Sequence, residues 1–184
     1  MGEFEARWDD SVMEEVERAE RPRAADERTT LAGFLQFHRD TLALKCEGLT
    51  AEQLGRKAVP PSELSLLGLV RHLADVERGW FRNVIAGEGV PLRGGTGSAR
   101  SMGFDVEETE VAEAEVEEAF AVWREECERS RAIVAAAESL DVIGVHRTGP
   151  VSLRYVLAHM IEEYARHNGH ADLLRELIDG TTGE

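Results

Sequence analysis

Apolar residues return every third or fourth position along four long stretches of this chain, and each stretch stops at glycine or near a turn. A helix needs about 3.6 residues per turn to bring such positions onto one face, so the backbone is committed to helix before any other feature is weighed. The first stretch runs from about residue 27 to 47, carries Leu31, Phe34, Leu35, His38 and Leu42 on one face, and ends at Gly48. A short helical turn over 49–54 follows, with Thr50 as N-cap and Gln53 closing a capping box, and Pro60-Pro61 ends it. The second helix begins between Ser62 and Leu66 and continues to Ala86, carrying Leu66, Leu69, Val70, Leu73, Val76, Trp80, Phe81 and Val84 until Gly87 and Gly89. The third runs from about Glu107 to Ser139, and the fourth from Ser152, its expected N-cap, to Ile178, with Gly180 as its stop. Residues 142–146 read as a short strand or extended connector closed by Gly149-Pro150. The expected fold class is all-α, a four-helix bundle around one core.

A chain of 184 residues suits one such core. Residues 26–184 are assigned to the helical domain and 1–25 to an N-terminal extension. The glycine-rich stretch from Gly87 to Asp105 has no apolar period and reads as a long connector able to serve as a lid. Its Gly94-Gly95-Thr96-Gly97-Ser98 follows no strand and lacks a GK[ST] ending, so it does not read as a phosphate cradle.

The formal charge is −15, from 36 acidic and 21 basic residues. Clustered cations are what nucleic-acid and anionic-membrane binding require, so neither partner is expected. No segment has the roughly 20 apolar residues of a membrane span, and the acidic start lacks the form of a signal peptide. The expected location is the cytoplasm. Cys46 and Cys127 form no CxxC pair and are expected to be free, buried thiols. The glutamate run of helix three, from Glu107 to Glu118, reads as a solvated face concentrated where the helix dipole favours negative charge.

The residues that carry chemistry lie on helix four. At roughly 100° per residue, with His159 at zero, Glu163 falls at about 40°, His167 at about 80° and His170 at about 20°. Val156 and Leu174 share that side, so these polar groups lie on a stripe that also faces the core. An inward carboxylate is costly unless it is paired or bound to a cation, and Glu163 stands out as the one carboxylate in that position. On helix two, His72 shares a face with Leu69, Val76, Trp80 and Asn83. Glu163 and His167 are one turn apart, and a third ligand from a neighbouring helix would complete a 2-His-1-carboxylate set for a divalent transition metal. His159 is placed as a supporting or pocket residue, His170 as an auxiliary ligand or proton carrier, and Asn83 as a group that orients a bound molecule. His38 is expected to be structural and His146 solvent-exposed, with Arg154 and Arg166 in surface ion pairs.

The segments LSLLGLVRHLADVERGWF and LRYVLAHMIEEYARHNGHADLLRELIDG resemble the DinB superfamily, in particular its actinobacterial branch, over about Thr29 to Gly180. The resemblance implies an up-down-down-up four-helix bundle holding a metal, zinc or nickel most often, near one end. The family's helix-two histidine corresponds to His72, and its paired ligands on the last helix correspond to Glu163 and His167. A carboxylate at Glu163, where many members have histidine, is similar to the metal site of the mycothiol-dependent maleylpyruvate isomerases, and relatives include thiol S-transferases using mycothiol or bacillithiol. Only two of the 21 basic residues are lysines, an arginine bias that agrees with a high-GC host of the kind that uses mycothiol. The implied activity is a metal-dependent transfer of a low-molecular-weight thiol to a small-molecule electrophile, with His170 or His159 taking up the proton, in a protein that often forms a homodimer. The competing expectations are a metal-binding or structural bundle without turnover, and histidines that merely satisfy one another in the core.

Overall fold

The computed structural model describes residues 18–93 and 111–183. The glycine-rich run 94–105, most of the N-terminal extension, and Glu107, Glu108 and Glu110 lie outside the described residues.

Helix α1 spans Glu27–Cys46, α2 Ala51–Gly55, α3 Leu66–Glu77, α4 Glu113–Ala136 and α5 Leu153–Asp179. Local chemistry sets most of these ends. The Thr50–Gln53 capping box forms in both directions. The hydroxyls of Ser65 and Ser152 accept from the backbone N–H groups of Gly68 and Tyr155, satisfying donors that a helix start leaves unpaired. At the C-terminus of α5, Gly180 takes the left-handed conformation with φ 80°, which glycine adopts without a Cβ penalty.

Helix two does not run to Ala86 as a single α-helix. From Arg78 to Ile85 it widens into a π-helical segment, seen in the Ala86 N–H that reaches back five residues to the Phe81 carbonyl at 2.9 Å. The wide turn is held on both sides. Arg78 and Arg82, one turn apart, both donate to Oε1 of the buried Glu126 on α4. On the other side lies a hairpin of β1 (Ile143–His146) and β2 (Gly149–Ser152), pairing antiparallel with Gly144 opposite Val151. The sequence anticipated the first strand and missed the second. A Cβ at position 144 would lie well inside van der Waals contact with the Val84 carbonyl, so only glycine lets the strand approach the helix backbone this closely. Gly144→Ala is therefore expected to destabilise the protein by about 1–3 kcal/mol, read as a lower urea midpoint with unchanged slope.

Helix α1 packs chiefly on α5, and α3 on α4, with α3 also touching α5. One core joins them, its largest fully buried side chains including Tyr164, Phe81, Leu35, Leu69, Leu157 and Met160. The all-α expectation is met.

Glu163 is not the only inward carboxylate. Glu77 and Glu126 have no exposed surface, and Asp75 is only 4% exposed. Arg39 forks onto Glu77 with two contacts of 2.8 Å. The Tyr164 hydroxyl donates to Glu77 Oε1 at 2.9 Å and accepts from Trp123 Nε1 at 2.9 Å. Burial alone would weaken the Arg39 charge, but Glu77 beside it holds the guanidinium firmly protonated. The network ties α1, α3, α4 and α5 together at one point.

Cys127 lies against it, 3.7 Å from Glu77 Oε1 and from the Tyr164 hydroxyl. Burial, reinforced by the Glu77 charge, pushes its thiol far above the ordinary range, and burial raises Cys46 to about 12. Both are free and buried, as expected. Because thiolate is the reactive form, neither thiol should react with a disulfide reagent such as dithionitrobenzoate until the protein unfolds. Labelling of native protein within minutes would contradict this.

Candidate metal centre

Three side chains from two helices converge. His72 projects from the middle of α3, on the face that buries Leu69, Leu73 and Val76. Glu163 and His167 project one turn apart from α5. One nitrogen of each imidazole and one carboxylate oxygen all lie within 4.8 Å of one another. Glu163 Oε2 is the shared vertex, 4.0 Å from His72 Nε2 and 3.5 Å from His167 Nε2. The two rings meet edge to face, with centroids 4.7 Å apart.

The electrostatics follow from that placement. The His167 and then the His72 imidazole beside it hold the Glu163 carboxyl well below the usual carboxylate range, although partial burial opposes the shift. The carboxylate is therefore ionised throughout the neutral range and 18% exposed, while the His72 and His167 side chains are 8% and 9% exposed.

Two nitrogens and one anionic oxygen form a donor set suited to a divalent transition ion. Bonds of about 2.0–2.1 Å in a tetrahedral site place ligand atoms roughly 3.3 Å apart. The two Glu163 edges, 3.5 and 4.0 Å, are close to that, and the whole set lies within 4.8 Å, so the three atoms would draw together on an ion. Among the described residues the cluster has three members, and neither His159 nor His170 joins it. Three protein ligands with a fourth position left over is the pattern of reactive rather than purely structural sites.

The remaining candidates take distinct places. His170 turns its Nδ1 toward Nδ1 of His167 at 3.3 Å. For His167 Nε2 to offer a lone pair to an ion, the proton must sit on Nδ1, and His170 stands there to accept it. Burial, followed by the neighbouring His167 and Arg166, lowers the His170 pKa and favours its neutral ring. Its ring stands behind His167, outside the three-member cluster. His159 Nε2 faces the other carboxylate oxygen, Oε1, at 3.6 Å, on the opposite side of the Glu163 carboxylate from the cluster vertex.

Asn83 is engaged elsewhere. Its amide donates to the Val90 carbonyl at 2.9 Å and accepts from the Val90 N–H at 2.7 Å, clasping the chain that leaves the π-helical segment. At His38 the Asn168 amide donates to the backbone carbonyl at 3.0 Å and lies 3.4 Å from ring Nδ1. His146 is not simply solvent-exposed: its ring stacks on Trp80 with centroids 4.8 Å apart. Arg154 pairs with Glu27 and Asp141, and Arg166 with Glu162.

Sequence reasoning missed the Glu77 network, although the signal was present. Glu77 stands four residues after Leu73 and four before Phe81, both core residues, so its side chain faces inward. Arg39 lies in the same way between Leu35 and Leu42 on α1.

Fold and cluster together define an all-α protein with a candidate three-ligand cation site between two of its long helices. The family model for mycothiol-S-transferases matches residues 30–180. The chain belongs to that family, within the DinB-like superfamily. No individually curated protein matches it. No helix among the described residues is long and apolar enough to cross a membrane.

Proposed function

We propose that the protein transfers a low-molecular-weight thiol of the mycothiol type to a small electrophile, with a divalent transition ion, zinc or nickel, held by His72, Glu163 and His167. The observation that supports this most directly is the convergence of their three donor atoms within 4.8 Å, with no fourth protein ligand among the described residues. An ion bound there supplies Lewis acidity that lowers the pKa of a thiol sulfur, so that thiolate, the nucleophile, exists at neutral pH.

The chain's own residues do the rest. Glu163 and the two imidazoles fix the point at which sulfur is presented. His170 orients His167. His159, one turn from Glu163 and partly exposed, takes the thiol proton at Nε2. A carbon–sulfur bond then forms as the acceptor's leaving group departs, or, in an addition, as the acceptor carbon collects the proton that His159 holds. The acidic exterior suits a small-molecule partner over nucleic acid or membrane, and the cytoplasm is where such thiols stay reduced. Leu173 and Leu177, exposed and four residues apart on α5, offer an apolar strip for a homodimer.

The test is consumption of mycothiol by zinc- or nickel-loaded protein against a panel of electrophiles. Turnover should require metal and disappear in His72→Ala. Fully loaded protein that transfers thiol to none of the panel would overturn the proposal and leave a metal-binding protein without turnover.

A further inference from the structure

Beside the candidate metal centre, four rings from three separate elements come together. Trp80 projects from the π-helical segment, His146 from β1, and Tyr155 and His159 from α5. Trp80 and His146 stack with centroids 4.8 Å apart and 21° between planes. His159 meets Trp80 edge to face at 4.6 Å, and Tyr155 lies parallel to His159 at 6.0 Å. The cluster is open to solvent at Tyr155, which is 51% exposed. At its inner end His159 Nε2 is 3.6 Å from Glu163 Oε1, so the rings form a continuous path from the surface to the ligand cluster.

Two features show that the fold is shaped to make this cluster. The helix widens at Trp80, and such π-helical turns recur at functional sites. Gly144 and His146 also lie on the same face of β1, and the close approach that Gly144 permits to Val84 carries His146 onto Trp80.

We infer that this ring cluster is the binding site for the acceptor, and that the acceptor is an uncharged, planar, conjugated or aromatic electrophile. The inference rests on the thiol-transfer reading above and specifies its second substrate. Ring faces bind flat, polarisable molecules by offset stacking. The flanking cations are committed, Arg78 and Arg82 to Glu126 and Arg154 to Glu27 and Asp141. Among the described residues Arg147, in the exposed hairpin turn next to His146, is the neighbouring cation that an anionic acceptor would use. An acceptor stacked on the half-exposed Tyr155 ring, with Trp80 tilted 55° beside it at 6.2 Å, lies next to His159 and toward the point where sulfur is presented.

The test uses zinc-loaded protein and 1,3-dinitrobenzene, an unreactive, neutral, flat probe, with binding followed by calorimetry or ligand-observed NMR. Saturable binding is expected, weakened about tenfold in Trp80→Leu and several-fold in Tyr155→Ala, with zinc content unchanged in both. The Tyr155 variant removes a half-exposed ring and so tests the site even if the Trp80 variant fails to fold. Absence of saturable binding, or equal affinity in Tyr155→Ala, overturns the site. Tighter binding of 3,5-dinitrobenzoate, lost in Arg147→Ala, overturns the uncharged class. These binding readouts do not depend on turnover. Failure of thiol transfer with intact probe binding would count against the thiol reading alone. Turnover with an acceptor KM unchanged in Tyr155→Ala would count against this site alone.

Discussion

His167→Ala is expected to lose stoichiometric zinc. Three donor atoms within 4.8 Å are the whole of the described cluster, and without His167 the ion would keep one imidazole and one carboxylate. Even residues that merely orient a ligand change metal affinity by about 10–100-fold, so loss of a ligand should exceed that range. Elemental analysis after equilibration with zinc and desalting gives the answer. Wild-type protein should carry about one equivalent and His167→Ala close to none. His170→Ala should retain metal with affinity lowered by about 10–100-fold, because its ring meets only the rear nitrogen of His167. Thermal unfolding provides a second check, since an ion that binds only the folded chain raises the midpoint in proportion to the logarithm of its concentration. That rise should vanish in His167→Ala. Unchanged zinc content in both His72→Ala and His167→Ala would sink the assignment of ligands.

Glu77→Ala should cost about 3–5 kcal/mol of stability, a large share of the roughly 5–15 kcal/mol that holds a domain of this kind together. The reason lies in what is left behind. Arg39 is 4% exposed and its fork is satisfied by Glu77. Removing the carboxylate strands a buried guanidinium and also deprives the Tyr164 hydroxyl of its acceptor. Replacing Arg39 and Glu77 together with apolar residues of similar volume should recover most of the loss, because the pair's attraction barely exceeds its desolvation cost. Tyr164→Phe removes two hydrogen bonds, one to Glu77 and one from Trp123, but leaves the Arg39–Glu77 pair in place, and should cost about 2–3 kcal/mol. Urea unfolding of the three variants separates these cases. A Glu77→Ala variant within about 1 kcal/mol of wild type would mean that water or another group reaches Arg39, and the account of the network would fall.

The fold was legible wherever its cause is local. Helix periodicity, the Thr50–Gln53 capping box, the Ser152 cap and the Gly180 stop each depend on residues within one turn of one another, and the structure reproduces them. The pairing of Glu163 with His167 was legible for the same reason, since residues four apart on a helix share a face. His72 was placed on an inward face by periodicity, but its meeting with that pair belongs to the packing of α3 on α5.

What the sequence determined by itself, then, was helix content, most helix ends, and the inward stripe that bears the polar groups of α5, because each follows from the 3.6-residue repeat and from caps that act within a few residues. Tertiary structure decided what those groups do. Glu77 finds Arg39 and Glu126 finds Arg78 across 38 and 48 residues of chain, and whether a buried carboxylate is neutralised by an arginine or left facing two imidazoles depends on which side chains the neighbouring helices bring to it. The π-helical turn likewise lies where Glu126 and the Gly144 strand meet residues 78–85 from separate parts of the chain. Periodicity describes one helix at a time, whereas the partners that give a buried charge its role come from other helices.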